Sequence, residues 1–447
     1  MDAPPQSTAP HGPIREACDI LIVGGGPAGS AAAILLAEKG YRVVLVEKDR
    51  HPRFHIGESL LPANLPLFER LGVAGKVRAI GMEKWGAEFI ADGGGRRQEF
   101  EFADAWNKSQ PMAYQVRRSE FDEILIRRAA DCGARVIEGC RVVDVDFVDG
   151  GRVLVDALHE DGRARRWDAA RLVDASGRDT FLGSRLRTKR RNRKHNSAAV
   201  YAHFSGAVRE SGKREGNISI YWFAHGWFWF IPLADGTTSV GAVVWPRYLK
   251  TRRVPLRDFF LATIGLCPPL ADRLRNATIV TDVEAAGNYS YACDRSCGAN
   301  FLLIGDAYTF IDPVFSSGVM IAMQGGVAAA ETLDVCLREP GLASGALRRF
   351  ERLMRHGPKE FSWFIYRMTN PTMRELFLGP RNVLRVKEAL LSLLAGDIFG
   401  KTPIWTSLRL FKALYYLFSL GHLGRSVRAA RDRAANAGAL DSESLSG

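Results

Sequence analysis

Apolar residues change rhythm along the chain, and the changes mark its elements. Cys18 to Val23 is nearly continuous in apolar residues, as expected of a strand buried on both faces. The Pro-rich, polar stretch of residues 1 to about 16 ahead of it is expected to be mobile. After a glycine cluster, Ser30 to Ala37 reads as a helix of small and apolar residues, and Val43 to Val46 as a second buried strand ending at Glu47. Val116 to Asp122 opens a further helix, while Leu172–Asp174 and Phe301–Ile304 read as apolar strands that run into turns. Ala198–Phe204, Ile218–Phe223 and Ser239–Val244 alternate or run apolar as strands, forming a sheet around Trp227–Pro232. From about Leu342 the pattern becomes helical, at Phe350–Met354 and again at Val383–Leu391. Leu410, Leu414, Leu417 and Phe418 then form a stripe at i, i+4, i+7 and i+8. Arg409, Lys412, Arg425, Arg428 and Arg431 interrupt this last stretch well short of a membrane span. Its apolar face packs on its own domain, lies on a membrane or receives a partner, and the tail Ala434–Gly447 is expected to be disordered.

Two segments carry chemistry on their own evidence. Gly24-Gly25-Gly26-Pro27-Ala28-Gly29 is a G-x-G-x-x-G turn between a strand and a helix, followed by a second strand that ends in an acid. Gly24 permits the tight turn, Gly26 lets a pyrophosphate approach the backbone past Ala28, Gly29 allows close packing, and Glu47 accepts from a ribose. That ordered set predicts a dinucleotide site. Trp227-Phe228-Trp229-Phe230-Ile231-Pro232 places two indoles on one face of a strand and two phenyl rings on the other, so it predicts a wall buried from both sides.

Composition fits a folded enzyme: 447 residues, 47% hydrophobic and 25% charged, with a net charge of +12 that favours anionic ligands or partners. Its seven cysteines are scattered and no secretory signal precedes the first strand, which points to a reduced cytoplasm. Cys293 and Cys297 have no second pair to complete a tetrahedral site, so no metal is expected. The basic run Arg185–Lys194 reads as a solvated loop or a dock for an acidic carrier protein. His203 and Tyr221 could touch a substrate, but read rather as hydrogen-bonded core residues of the middle sheet.

Further motifs give the chain a family resemblance. Val116-Arg117-Arg118-Ser119-Glu120-Phe121-Asp122, the D-A-S-G turn at Asp174–Gly177 and the G-D-A element at Gly305–Ala307 resemble those of single-component flavoproteins, which implies FAD with Arg118 and Asp306 beside it. Gly57-Glu58-Ser59-Leu60-Leu61-Pro62, the W-x-W-x-I-P element and Asp312-Pro313-Val314-Phe315-Ser316-Ser317-Gly318 resemble flavin-dependent halogenases of the branch acting on phenols, pyrroles or carrier-tethered aromatics. Lys84, in Lys84-Trp85-Gly86-Ala87-Glu88-Phe89, matches the family's K-x-G-A-x-F; without that alignment it reads as a solvated surface lysine.

The resemblance implies an α/β fold: a Rossmann-like FAD-binding domain with an inserted mixed β-sheet substrate region at about 196–290, inside a core spanning 17–340, and a C-terminal helical region over 341–433. It implies catalytic Lys84 behind a wall of Trp227 and Trp229, an FAD site of Gly24, Gly26, Ala28, Gly29, Glu47, Ser59, Arg118, Asp306 and Gly318, and a halide site at Ser317 and Gly318. FADH2 from a separate reductase, dioxygen, and chloride or bromide then act through a flavin hydroperoxide, hypohalous acid and the lysine. The rivals are a flavin monooxygenase or geranylgeranyl-reductase-like oxidoreductase, and a non-catalytic flavin-binding dock. Cytoplasmic placement with peripheral membrane contact through the basic C-terminal helix completes the expectation.

Overall fold

The structure, a computed structural model, describes residues 14–431 apart from 92–94, 193–194, 288–289, 369, 380–381, 400–401, 422–423, 425–426 and 429–430. The expectations for residues 1–13, Arg425 and the tail 434–447 lie outside the described residues. The first strand runs Ile14–Val23, so it begins ahead of the boundary expected at about residue 16. Pairing extends the strand into a polar sequence: Ile14, Arg15 and Glu16 register with Arg165, Arg166 and Trp167 of the neighbouring strand.

Ile14–Val23 lies between Val43–Val46 and Ala164–Asp174, parallel to both. Phe301–Leu303 adds a further parallel pairing to Ala164–Asp174, and Arg135–Ile137 pairs outside Val43–Val46. The hairpin Cys140–Val148 and Arg152–His159 extends the same sheet antiparallel. Buried Ile, Leu and Val fill the central strands because helices cover the sheet. The two principal helices, Pro27–Glu38 and Gly318–Arg338, pack so closely that a Cβ on Gly326 would fall 2.4 Å from the Ala28 carbonyl oxygen. Gly318–Arg338 has the length and hydropathy of a membrane span, yet 78% of its apolar window is buried inside the fold.

The second sheet orders Thr278–Ile279, Ala198–Ser205, Thr238–Val244, Gly226–Pro232, Ile218–Phe223, Gly86–Ile90 and Arg97–Glu101 side by side, with Glu284–Gly287 also on Ala198–Ser205. The tryptophan strand is interior: Trp229 stands opposite Ile220 on one side and Gly241 on the other. Its two faces belong to different cores. Trp227, Trp229 and Ile231 join Phe89, Trp222 and the C-terminal helices, whereas Phe228 and Phe230 join Phe204, Phe223 and Phe260.

The helices Ala343–Ile365, Val386–Leu394 and Trp405–Gly421 cover the tryptophan face, with Phe361, Phe364, Leu390 and Phe411 in the shared cluster. In the last of these helices the buried residues include Leu408, Phe411 and Tyr415, and Leu410 packs half-buried on the same cluster, so the expected stripe holds there and is corrected at Leu417 and Phe418. Phe364 stacks on Phe411 at 5.6 Å and Trp363 meets Tyr415 edge-on at 5.5 Å, so the facing helix selects that side. Leu417 and Phe418 are exposed. The basic run is partly consumed by internal contacts: Arg185 pairs with Asp144, Arg190 with Asp294, and Lys189 lies over the Tyr291 ring.

Candidate functional site

A cavity of about 610 Å³ opens where the first glycine turn meets the second sheet. Its size suits a bound cofactor or substrate. At one end, Gly24 adopts φ +103°, and a Cβ there would lie 2.3 Å from the Ala175 carbonyl oxygen. A Cβ on Gly29 would lie 1.9 Å from the Gly24 carbonyl oxygen, so both positions require glycine. Gly26 faces open space, its nearest neighbour being Arg53 at 3.8 Å from a built Cβ, and the helix starting at Pro27 directs its first N–H groups there. The Glu47 carboxylate accepts from the backbone N–H groups of Gly25 at 2.6 Å and Asp49 at 3.0 Å, which fixes it at the cavity wall.

Ala28, Ser59, Arg118, Asp306 and Gly318 line the same cavity as Gly24, Gly26 and Glu47, so six separate segments bring the expected cofactor set together except Gly29, which packs behind the turn. Arg118 grips both oxygens of Asp122, at 2.8 and 2.9 Å, and its Nη1 donates to the Ile56 carbonyl. Burial pushes the Asp306 carboxyl up to about 6, against the pull of Arg178 and Arg118. These residues fit FAD: a glycine cradle and helix start for the pyrophosphate, an acid for the ribose, and an apolar end for the ring system.

Gly318–Arg338 begins at Ser317, whose hydroxyl is buried and has no hydrogen-bond partner. The turn before it places Ser316 at φ +56°, turning the chain so that Gly318 reaches the cavity. Orphan N–H groups of the first helical turn accompany this unpartnered hydroxyl.

Lys84 is almost completely buried, at 1% exposure. It ends the short strand Met82–Lys84 opposite Ala113. Its ammonium nitrogen donates to Ser59 Oγ and to the Leu60 carbonyl, each at 2.9 Å, and lies 5.2 Å from the centre of the Phe102 ring. Burial lowers its pKa from 10.5 to about 7. The lysine is thus coupled to the cofactor cavity through Ser59, although it does not itself line that cavity.

Trp227 and Trp229 both face the large cavity, and the Trp229 indole N–H donates to Ser239 Oγ at 3.1 Å. Trp227 also lines a second space of about 40 Å³ with Trp222, Trp245, Ser197 and Asp312, so this indole stands between two cavities. The lysine does not line that second space either. Ala87, just after it, pairs with Ile218, whereas Trp227 pairs with Trp222, four residues farther along. At about 3.3 Å per residue, those points on the sheet are separated by on the order of 13 Å.

Glu58, Arg53 and His55 also line the large cavity, beyond the residues that the sequence motifs suggest. His203, expected as a core residue, holds Glu58 from below at 2.9 Å. Glu58 sits inside the G-E-S-L-L-P motif, so its position is readable in the sequence; its pairing with a residue 145 positions away is not. Tyr221 stays in the opposite core, its hydroxyl accepting from Arg273 at 2.9 Å. Among the described residues no cluster of His, Cys, Asp and Glu suits a metal ion.

Comparison with known proteins identifies the family. The sequence family described as FAD binding domain matches residues 17–348. The 1H-pyrrole-2-carbonyl-(peptidyl-carrier protein) chlorinase of Pseudomonas fluorescens is 31% identical over 407 residues, covering 86% of this chain and 90% of its own. The myxobacterial chondrochloren halogenase CndH, a variant of FAD-dependent halogenases, is 32% identical with a TM-score of 0.76 over 88% of this chain and 93% of its own. A flavoprotein/dehydrogenase from Cytophaga hutchinsonii is 27% identical with a TM-score of 0.83, covering 91% and 100%.

Proposed function

The chain belongs to the flavin-dependent halogenases, FAD-binding oxidoreductases, and on that premise we propose that it halogenates an electron-rich aromatic ring, a phenol or pyrrole, presented on a carrier protein or free. When bound, the reduced flavin activates dioxygen and supplies the oxidising power that converts halide to hypohalous acid. Lacking a second glycine-rich strand-turn-helix unit in its sequence for a nicotinamide cofactor, the enzyme takes reduced FAD from a separate reductase. The pyrrole-carrier chlorinase supports the carrier-tethered form of substrate.

The observation that carries this reading is buried Lys84 on Ser59 at the edge of the FAD cavity. Gly24, Gly26, Ala28 and Gly29 cradle the pyrophosphate, Glu47 takes the ribose, and Ser59, Arg118, Asp306 and Gly318 bound the flavin. Ser317 and the N–H groups from Gly318 onward hold chloride or bromide by hydrogen bonding, with no full positive charge. Trp227 and Trp229 exclude substrate from the oxidation site. Lys84, its pKa lowered to about 7, is available near neutral pH as a free amine. It either hydrogen-bonds hypohalous acid or takes its halogen as a haloamine, releasing water, and directs that halogen to the ring.

The test is product mass with purified enzyme, FAD, a flavin reductase, NADH and bromide or chloride, against free and carrier-bound phenols and pyrroles. A halide-dependent mass shift supports the proposal; a hydroxylated or hydrogenated product without halogen replaces it with the monooxygenase or reductase-like oxidoreductase reading. Lys84→Ala should bind FAD as the wild type does and yield no halogenated product. Wild-type yield from that variant would remove the lysine from its role.

A further inference from the structure

Glu58 and His203 form a buried pair at the cavity edge to which the roles above give no task. Each is 2% exposed, and His203 Nε2 lies 2.9 Å from Glu58 Oε1. The second carboxylate oxygen, Oε2, is buried without a hydrogen-bond partner, and Glu58 lines the cofactor cavity. A buried oxygen left unsatisfied is costly, so its retention points to a task in the loaded enzyme. Around His203, its backbone N–H donates to the hydroxyl of exposed Thr281 at 3.0 Å, and half-exposed Phe54 meets its ring edge-on at 6.1 Å. The residue after Glu58, Ser59, is the one that holds Lys84. A single short segment therefore presents an acid to the cavity and a hydroxyl to the lysine.

The halogenase reading, on which this inference rests, has a proton requirement. With every atom counted, FADH2, O2, X⁻ and H⁺ give FAD, HOX and H2O: flavin and halide each lose two electrons, dioxygen gains four, and one proton is consumed. That proton has to enter a cavity whose sheet side is walled by Ile220, Trp227, Trp229 and Val243. We propose that Glu58 delivers it and that His203 orients Glu58 and returns the proton to it. Several neighbouring charges are held elsewhere: Arg118 by Asp122 and the carbonyls of Ile56 and Gly57, Lys84 by Ser59 and Leu60, Glu284 by the Tyr201 hydroxyl, and Arg53 by the carboxylates of Glu47, Asp49 and Asp122. Glu58 is then a carboxylate at this wall with an oxygen to spare, distinct from Asp306, the buried carboxyl already assigned to the flavin side of the cavity.

Glu58→Gln keeps the shape and a hydrogen bond to His203 but cannot relay a proton. The assay uses FAD-loaded enzyme with a reductase and bromide, trapping hypobromous acid with monochlorodimedone so that the natural substrate is not needed, and measuring hydrogen peroxide alongside. The expected result is an unchanged FAD Kd by fluorescence titration and an unchanged bromide KM. Bromination should fall roughly 10²-fold, with the lost turnover reappearing as hydrogen peroxide, and a smaller fall of the same kind should follow His203→Gln. Wild-type coupling of flavin oxidation to bromination in Glu58→Gln would overturn the proposal. So would a weakened FAD Kd, which would make Glu58 a cofactor ligand instead. Wild-type enzyme that makes peroxide and no brominated trap would remove the halogenase reading itself, a failure visible before either variant is made.

Discussion

Lys84 shows how one residue's surroundings set its chemistry. An ammonium whose pKa falls from 10.5 to about 7 on burial is disfavoured in the folded state whenever it is charged. Its folded pKa lies below the unfolded value, so the cost to stability is full below about 7 and fades as pH rises toward 10.5. Lys84→Met should therefore be more stable than the wild type at about pH 6 by an amount on the order of a few kcal/mol, with the gap shrinking by about pH 9. Urea unfolding of both FAD-free proteins at the two pH values measures this; a gap that does not change with pH would mean the amine keeps its ordinary pKa. Gly241 matters for a steric reason, because a Cβ there would fall 2.1 Å from the Trp229 indole. Gly241→Ala should push that indole from its seat, destabilise the protein by about 1–3 kcal/mol, and weaken FAD binding, as read by thermal melting and flavin fluorescence.

Elements that depend on local sequence are legible in the order of residues alone. The glycine turn, its helix Pro27–Glu38 and the strand Val43–Val46 follow from small residues, glycines and an apolar run that permit little else. The tryptophan strand is likewise readable, including the split of its faces between two cores. Less is readable where a partner decides. The Trp405–Gly421 helix offers apolar residues on more than one side, and Trp363 and Phe364 of another helix select Leu408, Phe411 and Tyr415. The first strand extends back to Ile14 because Ala164–Asp174 supplies its hydrogen bonds, which polar Arg15 and Glu16 do not advertise. Glu58–His203 belongs to the same class, since a contact across 145 positions leaves no local trace.

At the scale of the whole molecule, the cavity is assembled from the glycine turn, the Gly57–Ser59 segment, the Asp306 and Gly318 turns and the tryptophan sheet, so its occupant ties both sheets together. FAD at about 100 times its Kd should stabilise the folded enzyme by roughly 2.7 kcal/mol. Thermal melts at rising FAD concentration should show a Tm that climbs in step, and a Tm indifferent to FAD would mean that the cavity is not its site.

The tryptophan strand has hydrogen-bonded neighbours along both edges and aromatic packing on both faces. A strand held in that way cannot swing aside during each turnover without breaking the sheet that contains it. On the proposed mechanism, a short-lived oxidant formed in the large cavity would have to travel around this barrier, and its retention would become a competition between escape to bulk water and capture by the amine. Selectivity would then be governed by residence time, and leakage should rise when the route to the amine is lengthened even if every reacting group stays in place.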